Sequence, residues 1–330
     1  MRFSQSPLLG LSLACAAGSA SAAYTLQDNF DHTNFFSEFD FFTGPDPTDG
    51  FVNYVAADTA NSTGIAGYLS TTADNAVYLG VDHTTVNPSG GRPSVRVSSS
   101  KTYTHGLFIA DIAHMPGSIC GVWPAFWTFG PNWPSSGEID ILEGVNADTT
   151  NSITLHTSSG CSVSGSGALG SSTLAHTDCN TGNGNTGCGF ATESTQGYGN
   201  GFNAVGGGVY ALDWTSSAIN VYFFPRNAIP ADITSGSPDP STWSAPTASF
   251  SGSGCDIDSH FMNHKIIFDT TFCGQWAGQI WDSGSCASMA PTCETYVGEN
   301  PAAFEEAYWS VNSVKVYQSA SARRSMSFMA

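Results

Sequence analysis

Apolar and polar positions alternate over short stretches of this chain, separated by Gly, Pro, Asn and Ser, and a helical period is nearly absent. The alternation predicts strands over Ser94 to Ser98, Gly106 to Ile112, Ser152 to Thr157, Ala218 to Phe224, Lys265 to Phe272 and Ala307 to Tyr317. In the last of these, Trp309 and Val311 share one phase while Val314 and Val316 take the other, which predicts a bulge near Asn312. One short helix is expected after Asn300-Pro301, over Ala302 to Ala307. Many short strands between turn residues predict an all-β sandwich. Between Ser158 and Gly208 the composition shifts to Gly, Ser, Thr and Asn, which fits a flexible linker. Cys161, Cys179 and Cys188 lie inside that region, so a long loop pinned to the sandwich is the better expectation.

One strand-like stretch breaks the pattern. In Gly137-Glu-Ile-Asp-Ile-Leu-Glu-Gly-Val145 three carboxylates fall within six residues, in a chain only 11% charged. Ile139 and Ile141 alternate with Glu138 and Asp140, so a strand would bury the isoleucines and turn two acids to the other face. Glu143 is out of phase, and a regular strand would point it into the core. One extra residue around Ile141 and Leu142, a β-bulge, returns Glu143 to the acid side. Crowded carboxylates raise one another's pKa, which suits a pair that must supply an acid and a base at one pH. A solvated strand face normally mixes Thr, Ser and Lys, and a calcium loop mixes its acids with a turn glycine rather than with isoleucines; both alternatives fit less well.

Composition narrows the partners. The formal charge is −18, from 27 acidic and 9 basic residues, which argues against nucleic acid or an anionic membrane and leaves a neutral ligand. Residues 1–22 read as a signal peptide: Arg2, an apolar run from Leu8 to Ala17, and the small-residue site Ala20-Ser21-Ala22. That run is too short to span a bilayer, and residues 319–330 form a polar tail without a hydrophobic end. A secreted, soluble, monomeric product is expected, with one catalytic domain over residues 23–318. Of nine cysteines, Cys15 leaves with the signal, and the other eight are expected to form four disulfides of open pairing. Zinc ligation is set aside because no Cys-x-x-Cys pair exists. No metal or other cofactor is expected, and Asn61-Ser62-Thr63 is the one glycosylation sequon.

Upstream of the acids, Trp123, Trp127 and Trp133 lie within eleven residues interrupted by prolines. They cannot all pack into one core face, and indoles stack on the apolar C–H faces of sugar rings, so one or two are expected to face a carbohydrate cleft. Downstream, Ser152 to Thr157 reads as an antiparallel return strand with Thr154 and His156 on the acid face, where an imidazole can tune a carboxylate.

The run Ser136-Gly-Glu-Ile-Asp-Ile-Leu-Glu-Gly-Val-Asn146, preceded by Trp123-Pro-Ala-Phe-Trp127 and followed by Leu155-His-Thr157, resembles glycoside hydrolase family 16. Within it, the likeness is to fungal secreted endo-1,3(4)-β-glucanases, or laminarinases. Arg92 to Met115, Phe223-Phe-Pro-Arg226, Asn263 to Asp269 and Phe272 to Gly278 extend the match over about Tyr24 to Gln318. The resemblance implies a β-jelly-roll sandwich of the concanavalin A-like type, with an open cleft on its concave sheet and a retaining mechanism acting on β-glucan. By position it implies Glu138 as nucleophile, Asp140 as its support and Glu143 as general acid/base. His156 would stand near the acid/base, and Trp123, Trp127, Trp133, Trp276 and Arg96 would join it in contacting substrate. Gln275 departs from the pattern, which has Asp after Cys-Gly, and this bears on subsites rather than chemistry. The outer acids stand roughly 13 Å apart along a strand, so only long Glu side chains leaning together reach the separation of about 5 to 5.5 Å that retention needs.

Overall fold

The computed structural model describes residues 24–70, 75–164, 172–184 and 186–319. The expected signal peptide and the segment after Ser319 lie outside the described residues. Two eight-stranded, wholly antiparallel sheets pack face to face. One, the acid sheet, runs in the order Ser172–His176, Cys188–Thr192, Ser152–His156, Glu138–Glu143, Val122–Phe129, Lys265–Phe272, Arg96–Ser99, Phe39–Phe41. The other, the backing sheet, runs Ala248–Ser251, Ala218–Pro225, Gly208–Trp214, Gly106–His114, Trp309–Ser319, Asn75–Leu79, Ala66–Ser70, with Tyr24–Asp31 also paired to Trp309–Ser319. This is the sandwich that the resemblance implied.

Alternation decides which side each strand buries. Phe126, Ile139, Ile141, Leu142, Ile153, Leu155 and Phe190 of the acid sheet meet Phe108, Ile112, Tyr210, Val221, Val314 and Val316 of the backing sheet in one core. Each such side chain contributes about 1.5–3 kcal/mol on burial. The residues between them on the acid sheet are left on its outer face, and these include every acid of the Glu138–Glu143 strand. The expected bulge near Asn312 is present, as a register shift between Val311 and Ser313 against Gly106–His114.

Two local expectations are corrected. The 158–208 region is not one long loop, because Ser172–His176 and Cys188–Thr192 form the edge of the acid sheet. Their small residues hid a strand alternation, although the region is pinned as anticipated, by Cys161–Cys255 and Cys179–Cys188. The expected helix after Asn300 is a single 3-10 turn, Pro301–Phe304, and the longer helix Cys293–Glu299 precedes it, its Thr292 side chain accepting from Thr295 N. The remaining disulfides are Cys120–Cys286 and Cys273–Cys293, so all eight cysteines are paired. No helix among the described residues is long and apolar enough to cross a membrane.

Candidate active site

The acid strand is irregular where the phase argument requires it. Against Val122–Phe129, Asp140 pairs with Trp127 and Leu142 with Phe126; against Ser152–His156, Asp140 pairs with Thr154 and Glu143 with Ser152. The extra residue lets both Ile141 and Leu142 enter the core, fully buried, while Glu143 returns to the outer face. A bulge frees ladder groups, and here the side chain of Asn151 takes them up. Its Oδ1 accepts from the Glu143 backbone N–H at 2.8 Å, and its Nδ2 donates to the Ile141 carbonyl at 2.8 Å.

Both ends of the strand are fixed by backbone that few residues can adopt. Gly137 has φ +77°, and a Cβ there would stand 2.4 Å from the Phe261 ring and 2.5 Å from the His260 carbonyl, so only glycine fits. Asn146 sits at φ 55°, a region asparagine tolerates, and ties the strand exit to two neighbours. Its Oδ1 accepts from Gly121 N at 2.8 Å and its Nδ2 donates to the Ala277 carbonyl at 2.9 Å. That second bond holds the Gly274–Gly278 turn, which carries Trp276, beside the strand end.

Antiparallel partners share a face, so the register assembles the site. Glu138 lies in one row with His156, Phe129 and Lys265; Asp140 with Thr154, Trp127 and Ile267; Glu143 with Ser152, Ala125 and Asp269. His156 Nε2 stands 3.3 Å from Asp140 Oδ2 and 3.9 Å from Glu138 Oε1, the former too poorly aligned to count as a hydrogen bond to Asp140. By register His156 is the partner of Glu138 and Ser152 that of Glu143, and His156 also bears on Glu143. Trp123 donates its indole N–H to Glu143 Oε1 at 2.8 Å and meets Trp276 edge to face at 5.6 Å. Trp133 is 46% exposed, and its indole N–H faces Glu138. Trp127 and Arg96 also make contacts within the protein. The Trp127 N–H donates to Asp269 Oδ1 at 2.7 Å, and the buried guanidinium of Arg96 lies 4.9 Å from the Trp127 ring centroid and 5.0 Å from that of Phe42.

The three acids sit in unequal surroundings. Burial, then Asp140, pushes Glu138 up to about 8, while His156, Trp133 and Arg96 pull it back. Asp140 is held well above the usual carboxylate range by burial and then by the charge of Asp269. Glu143 is also held well above it by burial and Asp140, against the pull of the Trp123 N–H. Burial and mutual charge therefore both oppose ionising all three acids at once. Glu138, Asp140 and His156 each place one ligand atom within 4.8 Å of the others, but two carboxylates and an imidazole are not the oxygen-rich set that calcium takes.

Residue-type reasoning missed Asp269, Asn151 and Tyr54. Tyr54 OH donates to Asp269 Oδ2 at 3.0 Å, so both oxygens of that buried carboxylate are engaged. The departure at Gln275 is local: its side chain is exposed and donates to Asp49 Oδ2 at 2.8 Å. A hollow of about 540 Å³ lies away from the acids, between Phe224, Ala231 and Trp243 near the backing sheet, and lacks a pair of carboxylates. The acids instead lie on the outer face of their sheet.

Comparison with known proteins agrees with this geometry. Residues 39–317 match the model of the XgeA-like catalytic GH16 domain. The chain is 47% identical over 323 residues to a probable endo-1,3(4)-beta-glucanase of Aspergillus clavatus, covering 94% of this chain and 50% of the relative. An endo-1,3(4)-beta-glucanase of Arthroderma benhamiae is 47% identical over 317 residues, covering 94% of this chain and 68% of that one. The chain thus spans about half the length of the Aspergillus relative. Among solved structures, GH16 Laminarinase 16A from Phanerochaete chrysosporium, holding 6-O-glucosyl-laminaritriose in donor and acceptor sites, is similar at TM-score 0.83 and 44% identity, over 90% of this chain and all of that one. An elongating GH family 16 beta-1,3-glucosyltransferase is similar at TM-score 0.82 and 44% identity, over 89% of this chain and all of that one. With the match running across both sheets and enclosing the bulged acid strand, the chain belongs to glycoside hydrolase family 16, in its XgeA-like branch.

Proposed function

We propose that this chain is an endo-acting β-glucanase that hydrolyses 1,3- or mixed 1,3-1,4-β-glucans with retention of configuration. The observation that carries the reading is the bulge that turns Glu143 to the face of Glu138, with Asp140 between them. In the first step a Glu138 oxygen attacks the anomeric carbon while the glycosidic C–O bond breaks and Glu143 gives its proton to the departing oxygen. In the second, Glu143 takes a proton from water, the water oxygen attacks the same carbon, and the Glu138 carboxylate leaves. Two inversions restore the β configuration. Asp140 supports Glu138, and Trp123, Trp133, Trp276 and His156 contact the sugar chain.

The likeness to relatives named endo-1,3(4)-beta-glucanase supports a polymer entering mid-chain rather than by its end. Four disulfides and the expected leader support a secreted product. It acts as a monomer on neutral polysaccharide, with nucleic acid and membrane disfavoured by the charge of −18.

The test is NMR of the first products from laminarin and lichenan, read alongside their length distribution. A β-anomer with internal cleavage is expected; an α-anomer, or no release of reducing ends, overturns the proposal. The similarity to an elongating glucosyltransferase favours a second reading, in which the Glu138 ester passes its glycosyl group to another sugar. Products longer than the substrate at high acceptor concentration would decide for transfer.

A further inference from the structure

Asp140 and Glu138 are neighbours on one face, both buried or nearly so, and side by side they cannot both be charged without cost. If one proton is shared between them, its position matters. On Asp140 it leaves Glu138 an anion able to attack; on Glu138 it disarms the nucleophile. His156 does not separate the two, since the same Nε2 atom lies 3.3 Å from one and 3.9 Å from the other. A charge placed nearer one carboxyl than the other is required.

Asp269 supplies such a charge. It stands one strand beyond Val122–Phe129, in the row of Ala125 and Glu143, one row from Asp140 and two from Glu138. Both of its oxygens are engaged: Trp127 donates to Oδ1, Tyr54 donates to Oδ2, and Arg96 is its register partner on the next strand. Resting on the functional reading above, we propose that Asp269 is a positioning residue whose negative charge keeps the shared proton on Asp140, so that Glu138 remains the anion.

The charges facing the pair agree. On Asp140, Asp269 is the main influence after burial; on Glu138, Asp269 exerts none of note, and Arg96 and His156 favour the ionised form. Asp269 itself rises only to about 6, because Arg96, Trp127 and Tyr54 offset burial and the nearby Asp46. Glu143, the remaining acid of the strand, feels Asp140 more than Glu138. It too is relieved when Asp140 is neutral.

The experiment is carbon-detected NMR of carboxyl-labelled Asp and Glu across pH, in the wild-type chain and in Asp269→Asn, with signals assigned by Asp140→Asn and Glu138→Gln. In the wild type Asp140 should lose its proton after Glu138. In Asp269→Asn the order should reverse, and kcat on laminarin should fall about tenfold for each pK unit of reversal, with KM little changed. An unchanged order in Asp269→Asn overturns the proposal, as does a kcat loss without reordering. Should that variant fail to fold, Tyr54→Phe, which keeps the carboxylate but removes one donor, must show a smaller shift in the same direction; no shift overturns it. Absence of glucan hydrolysis by the wild type would sink the functional reading alone, because the titration order is read without activity.

Discussion

The side-chain amide of Asn151 spans the two backbone groups that the acid-strand bulge sets free, accepting from Glu143 N and donating to the Ile141 carbonyl, each at 2.8 Å. A residue of the turn after the strand thereby fixes the orientation of an acid eight positions earlier. The bulge is a built feature, with a side chain satisfying two of its backbone groups.

Asn151→Ala should therefore lower stability by about 2–4 kcal/mol, since a buried N–H and a buried carbonyl both lose a partner. Glu143 should also lose its fixed direction, so kcat should fall by an order of magnitude or more in molecules that remain folded. Chemical denaturation together with turnover on laminarin checks both.

Trp123→Phe removes the N–H that stabilises Glu143 as an anion once it has given up its proton. A hydrogen bond to a charged group contributes about 1.5–3 kcal/mol, so kcat/KM on laminarin should fall about 10- to 100-fold. Activated aryl glycosides, which need little protonation, should lose less. Equal losses on both substrates would place Trp123 in binding alone.

The two glutamates separate by chemical rescue. Glu143→Ala with azide should regain turnover on an activated substrate and yield a β-glycosyl azide, because attack on the Glu138 ester inverts a second time. Glu138→Ala should yield the α-azide by a single inversion. Opposite anomers by NMR would exchange the two roles.

Folding stability should decline with pH on account of Asp140. Burial and then the charge of Asp269 hold its carboxyl well above the usual range, so above the ordinary aspartate value the folded chain keeps a proton that the unfolded chain has released. The stabilisation is complete below the unfolded value and is lost as pH rises through the folded one. Thermal melts of wild type and Asp140→Asn from pH 4 to 9 should show the variant gaining relative Tm as pH increases; a constant difference would mean that the carboxyl is not raised.

Among the cross-links, Cys161–Cys255 closes a separation of 94 residues and Cys179–Cys188 one of 9. Loop-closure entropy makes the first worth about 2 kcal/mol more than the second. Paired Cys→Ala variants compared by denaturation should reproduce that order.

Much of the site was legible because it is local. The alternation of Glu138, Ile139 and Asp140 and the misfit of Glu143 required a bulge, and the return strand put His156 across from the acids. Asp269 was not legible, because it becomes part of the site only through pairing with a strand some 140 positions earlier, and its own strand is buried along nearly its whole length. The same distance hid two contacts within the protein, the Trp127 N–H on Asp269 and the Arg96 guanidinium over the Trp127 ring. The edge strands near residues 172–192 escaped notice because glycine, serine and threonine give alternation no contrast.

The strand Trp309–Ser319 lies inside the backing sheet, between Gly106–His114 and Asn75–Leu79, yet it follows every other described strand in the sequence. A ribosome would therefore release the whole acid sheet, Glu138 and Asp269 included, before the sheet that must support it could close. Until that strand arrives, two apolar strands face each other across a gap with unpaired edges, the arrangement most open to pairing with another nascent chain. Vectorial synthesis of this domain thus ends with its keystone, and a chain cut short near residue 308 would carry the full set of site residues on a sandwich unable to shut.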